Sequence, residues 1–246
     1  MSEKEELKKE ILKVNYEEDM FKISVGDGKY IFGVRTTDEA YNGVLAKTSQ
    51  YKTLYNTLKD IDSKIKYSFE EGIENTYSPA MNNNFSIIAQ EPGSREEFLA
   101  YYFSENALFR LSTLWDILAQ FYNIFYNLGI KKEKIHYTEI FNPSRERSIP
   151  YSDKAKKINS YINEELKRYE DGSLTGTHAF VKNLRNKMTH RNSPSITELS
   201  NFDINIRNHP SFIFYEMIKD YTFVSKELKE ILNKIELELK RLLENN

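Results

Sequence analysis

Apolar residues recur along the chain at two periods, and each marks its own kind of element. From Phe21 to Val25 apolar and polar residues alternate, Gly26-Asp27-Gly28 supplies a turn, and Lys29-Tyr30-Ile31-Phe32-Gly33-Val34 follows. Alternation on both sides of a glycine-rich turn predicts a β-hairpin, the only good hairpin signal in the sequence. Elsewhere the spacing is helical. Thr37 and Asp38 are capping residues for a helix to about Glu71 that sets Tyr41, Leu45, Thr48, Tyr55, Leu58 and Ile65 near one face. Residues 72–93, with Pro79, Asn82-Asn83-Asn84 and Pro92-Gly93, predict a loop and the best place for a domain boundary. Residues 1–20 read as a charged helix or a frayed terminus.

Ser94 followed by Glu97 has the form of a capping box. It opens the longest apolar-rich helix, running to Leu128 and Gly129. Apolar side chains surround most of its circumference, which predicts a central, largely buried helix whose aromatic residues belong to the core before they offer any base-stacking surface. One stripe is polar: Glu105, Ser112, Asp116, Gln120, Asn123 and Asn127 recur at steps of three, four or seven. Such a stripe is a solvated face or the wall of a cleft. A loop over 131–150 precedes a helix from Ser152 to about Tyr169, ended by Asp171-Gly172. Another helix spans Gly176 to Arg191 and stops at Asn192-Ser193-Pro194. Pro210 starts a final long helix with an apolar stripe of Ile218, Tyr221, Val224, Leu228, Ile231, Ile235, Leu239 and Leu242. The expected fold is mainly α: a four- or five-helix bundle over 91–246, preceded by a hairpin-plus-helix extension over 1–90.

Composition sharpens this picture. Nine glycines and six prolines in 246 residues favour long uninterrupted helices, and 17 tyrosines with 15 phenylalanines need a core or an interface. Cysteine is absent, which excludes disulfides, thiol nucleophiles and thiolate metal sites. The charged start lacks the apolar core of a secretory signal, and no long apolar run predicts a membrane span, so the expected setting is cytoplasmic. A net charge of −2 excludes a polycation that coats nucleic acid over its whole surface. Phosphate loops, serine-hydrolase elbows and histidine metal pairs are missing, and no metal or cofactor is expected. His136, His178 and His209 are expected at the surface or at helix caps.

One segment stands apart. Val181 to Arg191 reads Val-Lys-Asn-Leu-Arg-Asn-Lys-Met-Thr-His-Arg, with Arg185 five residues before His190 and Asn186 directly after the arginine. Chance would yield about 0.015 such Arg-Asn-x-x-x-His strings in this composition. No acid occurs between Gly172 and Thr197, whereas Lys182, Arg185, Lys187 and Arg191 supply four cations. Arginine stays charged and offers a fork of donors to phosphate oxygens, and an imidazole exchanges protons near neutral pH. In an ideal helix a five-residue step leaves the two side chains about 140° apart. Either the helix ends or distorts near His190, or a second subunit completes the site.

The string resembles the Arg-x(4–6)-His signature of the HEPN superfamily, in its Arg-Asn-x-x-x-His form. That resemblance implies a helical bundle that pairs with a second copy, joining two motifs into one metal-independent endoribonuclease site that leaves cyclic-phosphate ends. Arg185 and His190 would be the catalytic residues. Asn186 would support them, as would Asp116 if it pairs with either, since a carboxylate there raises an imidazole pKa. Lys182, Lys187 and Arg191 would hold RNA. The resemblance also implies roles in toxin–antitoxin pairs or phage defence, with an antitoxin or nucleotidyltransferase as partner. Where some relatives carry a tyrosine modified by such a transferase, this chain has Asn192. The alternative is a non-catalytic HEPN module that binds RNA or nucleotide, or a dimerising scaffold.

Overall fold

The computed structural model describes residues 2–18, 20–21, 24–25, 29–30, 44–144, 153–170, 173–190, 194–199 and 204–244. Among these, eight α-helices dominate: α1 (Glu3–Lys13), α2 (Val44–Thr76), α3 (Pro79–Asn84), α4 (Arg95–Phe125), α5 (Tyr137–Ile140), α6 (Asp153–Ile162), α7 (Thr177–His190) and α8 (Pro210–Glu244). A 3-10 turn covers Lys132–Lys134 within the segment expected to be a loop. Strands are confined to three antiparallel two-residue pairs: β1 (Ser24–Val25) with β2 (Lys29–Tyr30), β3 (Lys167–Arg168) with β4 (Leu174–Thr175), and β5 (Glu198–Leu199) with β6 (Ile204–Asn205). The fold is mainly α, as the pattern predicts. The first pair is the expected hairpin, in the register Ser24 with Tyr30 and Val25 with Lys29. Its turn, the capping residues Thr37 and Asp38, and Ser152 and Asp171-Gly172 lie outside the described residues.

The helix starts follow from local chemistry. Ser2 Oγ accepts the Glu5 N–H at 3.3 Å, acids fill the first turn of α1 and Lys13 closes its last, so residues 3–13 form a helix with Leu7 and Ile11 buried. Ser94 Oγ accepts the Glu97 N–H at 3.0 Å, and Glu97 reaches back to the Gly93 N–H at 2.7 Å, which realises the capping box one residue early. Two expectations change. The loop over 72–93 starts later, because α2 continues to Thr76 and Pro79 opens α3 at a position where its missing N–H costs nothing. The helix expected to reach Tyr169 stops at Ile162, and Lys167 and Arg168 pair with Thr175 and Leu174. Gly176 explains this return: its φ is +71°, and a Cβ there would lie 2.5 Å from the Glu165 carbonyl oxygen.

Two compact units make up the chain. The first contains residues 1–14, 62–113 and 157–223; the second contains 15–61, 114–156 and 224–246. In the first, Phe69 meets Phe214 and Tyr221 edge-on, and Gly72 lies so close to the Phe214 ring that a Cβ would overlap it at 2.1 Å. Each fully buried ring of this kind contributes about 1.5–3 kcal/mol. In the second, Phe21 packs on Tyr51 and Tyr55, and its N–H donates to Glu236 at 3.1 Å. The stripe of α8 is buried from Ile218 to Leu239 at every expected position. The long helix α4 is less enclosed than expected: Phe98, Tyr102 and Phe109 are 56%, 49% and 46% exposed.

Candidate functional site

The helix that carries the Arg-Asn-x-x-x-His string, α7, starts on Gly176, whose carbonyl accepts the Phe180 N–H at 2.9 Å. Its apolar face is Phe180, Val181 and Leu184, all buried, with Phe180 set edge-on against Phe212 at 5.3 Å. The first turn is fastened by polar contacts. Thr177 Oγ1 donates to Glu216 at 2.7 Å, and His178 Nδ1 lies 3.1 Å from Asp220 Oδ1, all four side chains being buried. Two carboxylates at the positive end of a helix that has no acid of its own are well placed electrostatically. The neighbouring Tyr161 phenol is held far above its usual pKa, by burial first and by Asp220 next, so it stays protonated. Its ring stacks on Phe223 at 3.6 Å. Among the described residues no group of three or more His, Asp or Glu side chains is placed to hold a metal ion.

Two turns on, the helix presents a different chemistry. Arg185 is half-buried beside Leu184, its Nη1 3.4 Å from Asn186 Oδ1. Its Nε is buried and has no hydrogen-bond partner among the described residues. A desolvated donor without an acceptor among these residues carries the cost of its lost hydration. Thr189 Oγ1 returns to the Arg185 carbonyl at 2.8 Å, and α7 stays helical to its last residue, His190. Lys182 and Lys187 are exposed on the same helix. The side chain of His190 and all of Arg191 lie outside the described residues. Asp116 is half-buried on α4 and belongs to the second unit, whereas Arg185 and Asn186 belong to the first.

A family model described as HEPN_Cthe2314-like HEPN matches residues 52–245, from within α2 to the end of α8. The chain belongs to the HEPN superfamily. No curated protein and no solved structure matches it. The HEPN match contains α7 whole, with the Arg185–His190 string on it.

The fastening of α7 was not foreseen: His178 is buried against Asp220 instead of lying at the surface. The available signal was Glu216 and Asp220, two acids one turn apart among the apolar residues of α8. His209 behaves as expected of a cap, its Nδ1 accepting the Ser211 N–H at 3.2 Å, and His136 is exposed. A second unforeseen cluster surrounds Arg207, which is buried, pairs with Glu97 at 2.6 Å, and donates to the carbonyls of Ser86 and Ser195 at 3.0 and 3.1 Å. The polar stripe of α4 also finds structural work. Asn123 holds both the N–H and the carbonyl of Ile130, at 3.2 and 3.0 Å, folding the chain back after the helix.

Proposed function

We propose that this HEPN protein is a metal-independent endoribonuclease that works as a homodimer, of the kind used in toxin–antitoxin pairs or phage defence. The observation that carries the reading is the Arg185–His190 string on one helix within the stretch that the HEPN family model matches. RNA carries its own nucleophile. The 2′-oxygen bonds to the adjacent phosphorus, the bond from phosphorus to the 5′-oxygen breaks, and a 2′,3′-cyclic phosphate and a 5′-hydroxyl result. One group takes the 2′-OH proton and one gives a proton to the leaving oxygen. His190 does one of these, and the same residue of a second copy does the other. Arg185 binds the non-bridging oxygens, where negative charge grows in the transition state, and Asn186 supports it.

Helical geometry favours two subunits over one. With α7 regular from Arg185 to Thr189, the motif's two side chains leave the axis about 140° apart, so one chain does not aim both at the same phosphorus. Lys182, Lys187 and Arg191 are candidates to hold the strand. End-group analysis tests the reaction class. RNA cleaved by the purified chain in excess EDTA is expected to carry cyclic-phosphate and 5′-hydroxyl ends. Products with 5′-phosphate ends contradict this chemistry, and tight RNA binding without any cleavage returns the non-catalytic HEPN module.

A further inference from the structure

A groove in the first unit lies between the C-terminal part of α2 and the N-terminal part of α4, with a volume of about 330 Å³. None of its lining residues comes from α7. Phe103 forms an aromatic floor, and two tyrosines stand on edge against it: Tyr67 from α2 at 6.1 Å and 88°, and Tyr102 from α4 at 5.3 Å and 75°. Both tyrosines are open, 58% and 49% exposed, and Phe98 continues the surface by stacking beside Tyr102 with ring planes 19° apart. Lys64 and Arg110 line the same groove, and no acid does. Arg110 is fixed by two bonds from Nη1 to Asn106, at 2.7 Å to its carbonyl and 3.2 Å to its side chain, which use one of its three nitrogens.

We infer that this groove is an accessory site for single-stranded RNA, taking an unpaired base against Tyr67 or Tyr102 and the adjoining phosphate at Arg110 and Lys64. Every base has a face to stack on an aromatic ring, and cations beside the ring follow the backbone. Room for roughly one nucleotide suits the cavity, which is at the small end of ligand sites. A contact with a second protein copy fits less well. Protein interfaces deplete lysine and serine, whereas Ser63, Lys64 and Ser68 line this groove beside the rings. The inference rests on reading the chain as acting on RNA, and it adds a grip on the substrate away from Arg185 and His190.

The test uses the full chain carrying His190→Ala, so that RNA stays intact, and fluorescence anisotropy with a labelled strand of about ten nucleotides, enough to cover one such site. Tyr102→Ala is expected to weaken binding about tenfold, and Tyr102→Phe to restore it, because stacking needs the ring and not the hydroxyl. Arg110→Gln serves as a second variant and is expected to lower the slope of log affinity against log salt by about 0.7. Unchanged affinity in Tyr67→Ala, Tyr102→Ala and Arg110→Gln overturns the inference. So does a change of oligomeric state at unchanged RNA affinity, which marks a protein contact, or equal competition by mononucleotides. Arg185→Ala separates the two readings: groove-dependent binding that survives it stands even if the ribonuclease assignment fails.

Discussion

His178 Nδ1 lies 3.1 Å from Asp220 Oδ1, with both side chains buried between α7 and α8. Together with the bond from Thr177 to Glu216, it fixes the first turn of the helix that ends in the Arg185–His190 string. Placement of the motif therefore depends on a polar latch two turns before it. His178→Leu takes one hydrogen-bond partner from the buried Asp220 side chain and leaves it the Tyr161 phenol, and a loss of about 1–3 kcal/mol in denaturant unfolding is expected. His178→Asn keeps a donor for Asp220 and is expected to lose less than His178→Leu. Equal stability of His178→Leu and the parent shows that the pair does not hold the helix.

His209 gives the fold an acid-sensitive cap. Burial lowers its pKa, against a smaller upward pull from Glu3 and Glu97. The ring must also leave Nδ1 unprotonated to accept the Ser211 N–H at the start of α8. A folded value below the unfolded one means that the stabilising contribution is intact above about pH 6.5 and is lost as pH falls through the folded value. His209→Asn keeps a cap without a titrating ring. Between about pH 7.5 and about pH 5.5 its Tm is expected to fall less than the parent's. Parallel falls show that this histidine is not the sensitive group.

Arg207 is a buried cation held on all sides by Glu97, two backbone carbonyls and the faces of Phe85 and Tyr101, at 5.1 and 6.0 Å. Arg207→Ala strands Glu97, which also caps α4 through Gly93. The expected cost is about 3–5 kcal/mol, or about 10 °C in Tm for a chain of this size. Arg207→Lys is expected to recover little of it, because a single ammonium cannot reach both carbonyls and the carboxylate. Full recovery by lysine shows that charge alone matters there.

What was legible in the sequence follows from which forces are periodic. The stripe of α8 and the extent of α7, within one residue of expectation at each end, follow from burial repeating every three to four positions. The pair β3–β4 was not legible, because it depends on Gly176 lying against the Glu165 carbonyl, a contact with no repeating pattern. Phe98, Tyr102 and Phe109 were expected inside because aromatic side chains usually are, and three rings on one exposed face obey no such rule. The Arg-Asn-x-x-x-His string was legible as a string on one helix, and the structure places Arg185 to His190 on α7. The latch beneath it was not, since a lone histidine gives no sign of the carboxylate that the fold brings to it.

A composite site makes a further prediction. If one active centre uses the His190 of both subunits, a dimer of one parent and one His190→Ala subunit lacks one of its two proton-transfer groups. After subunit exchange at equal amounts only the all-parent dimers stay active, and about a quarter of wild-type activity is expected. About half of wild-type activity, as simple dilution gives, contradicts a shared site.

The ribonuclease reading is tested most directly by incubating labelled RNA in excess EDTA with the parent, Arg185→Ala and His190→Ala proteins side by side. The parent is expected to cleave, and each variant to cleave at least about a hundredfold more slowly while keeping the parent's unfolding midpoint. Cleavage by His190→Ala at the parent's rate, or no cleavage by the parent, contradicts the assignment.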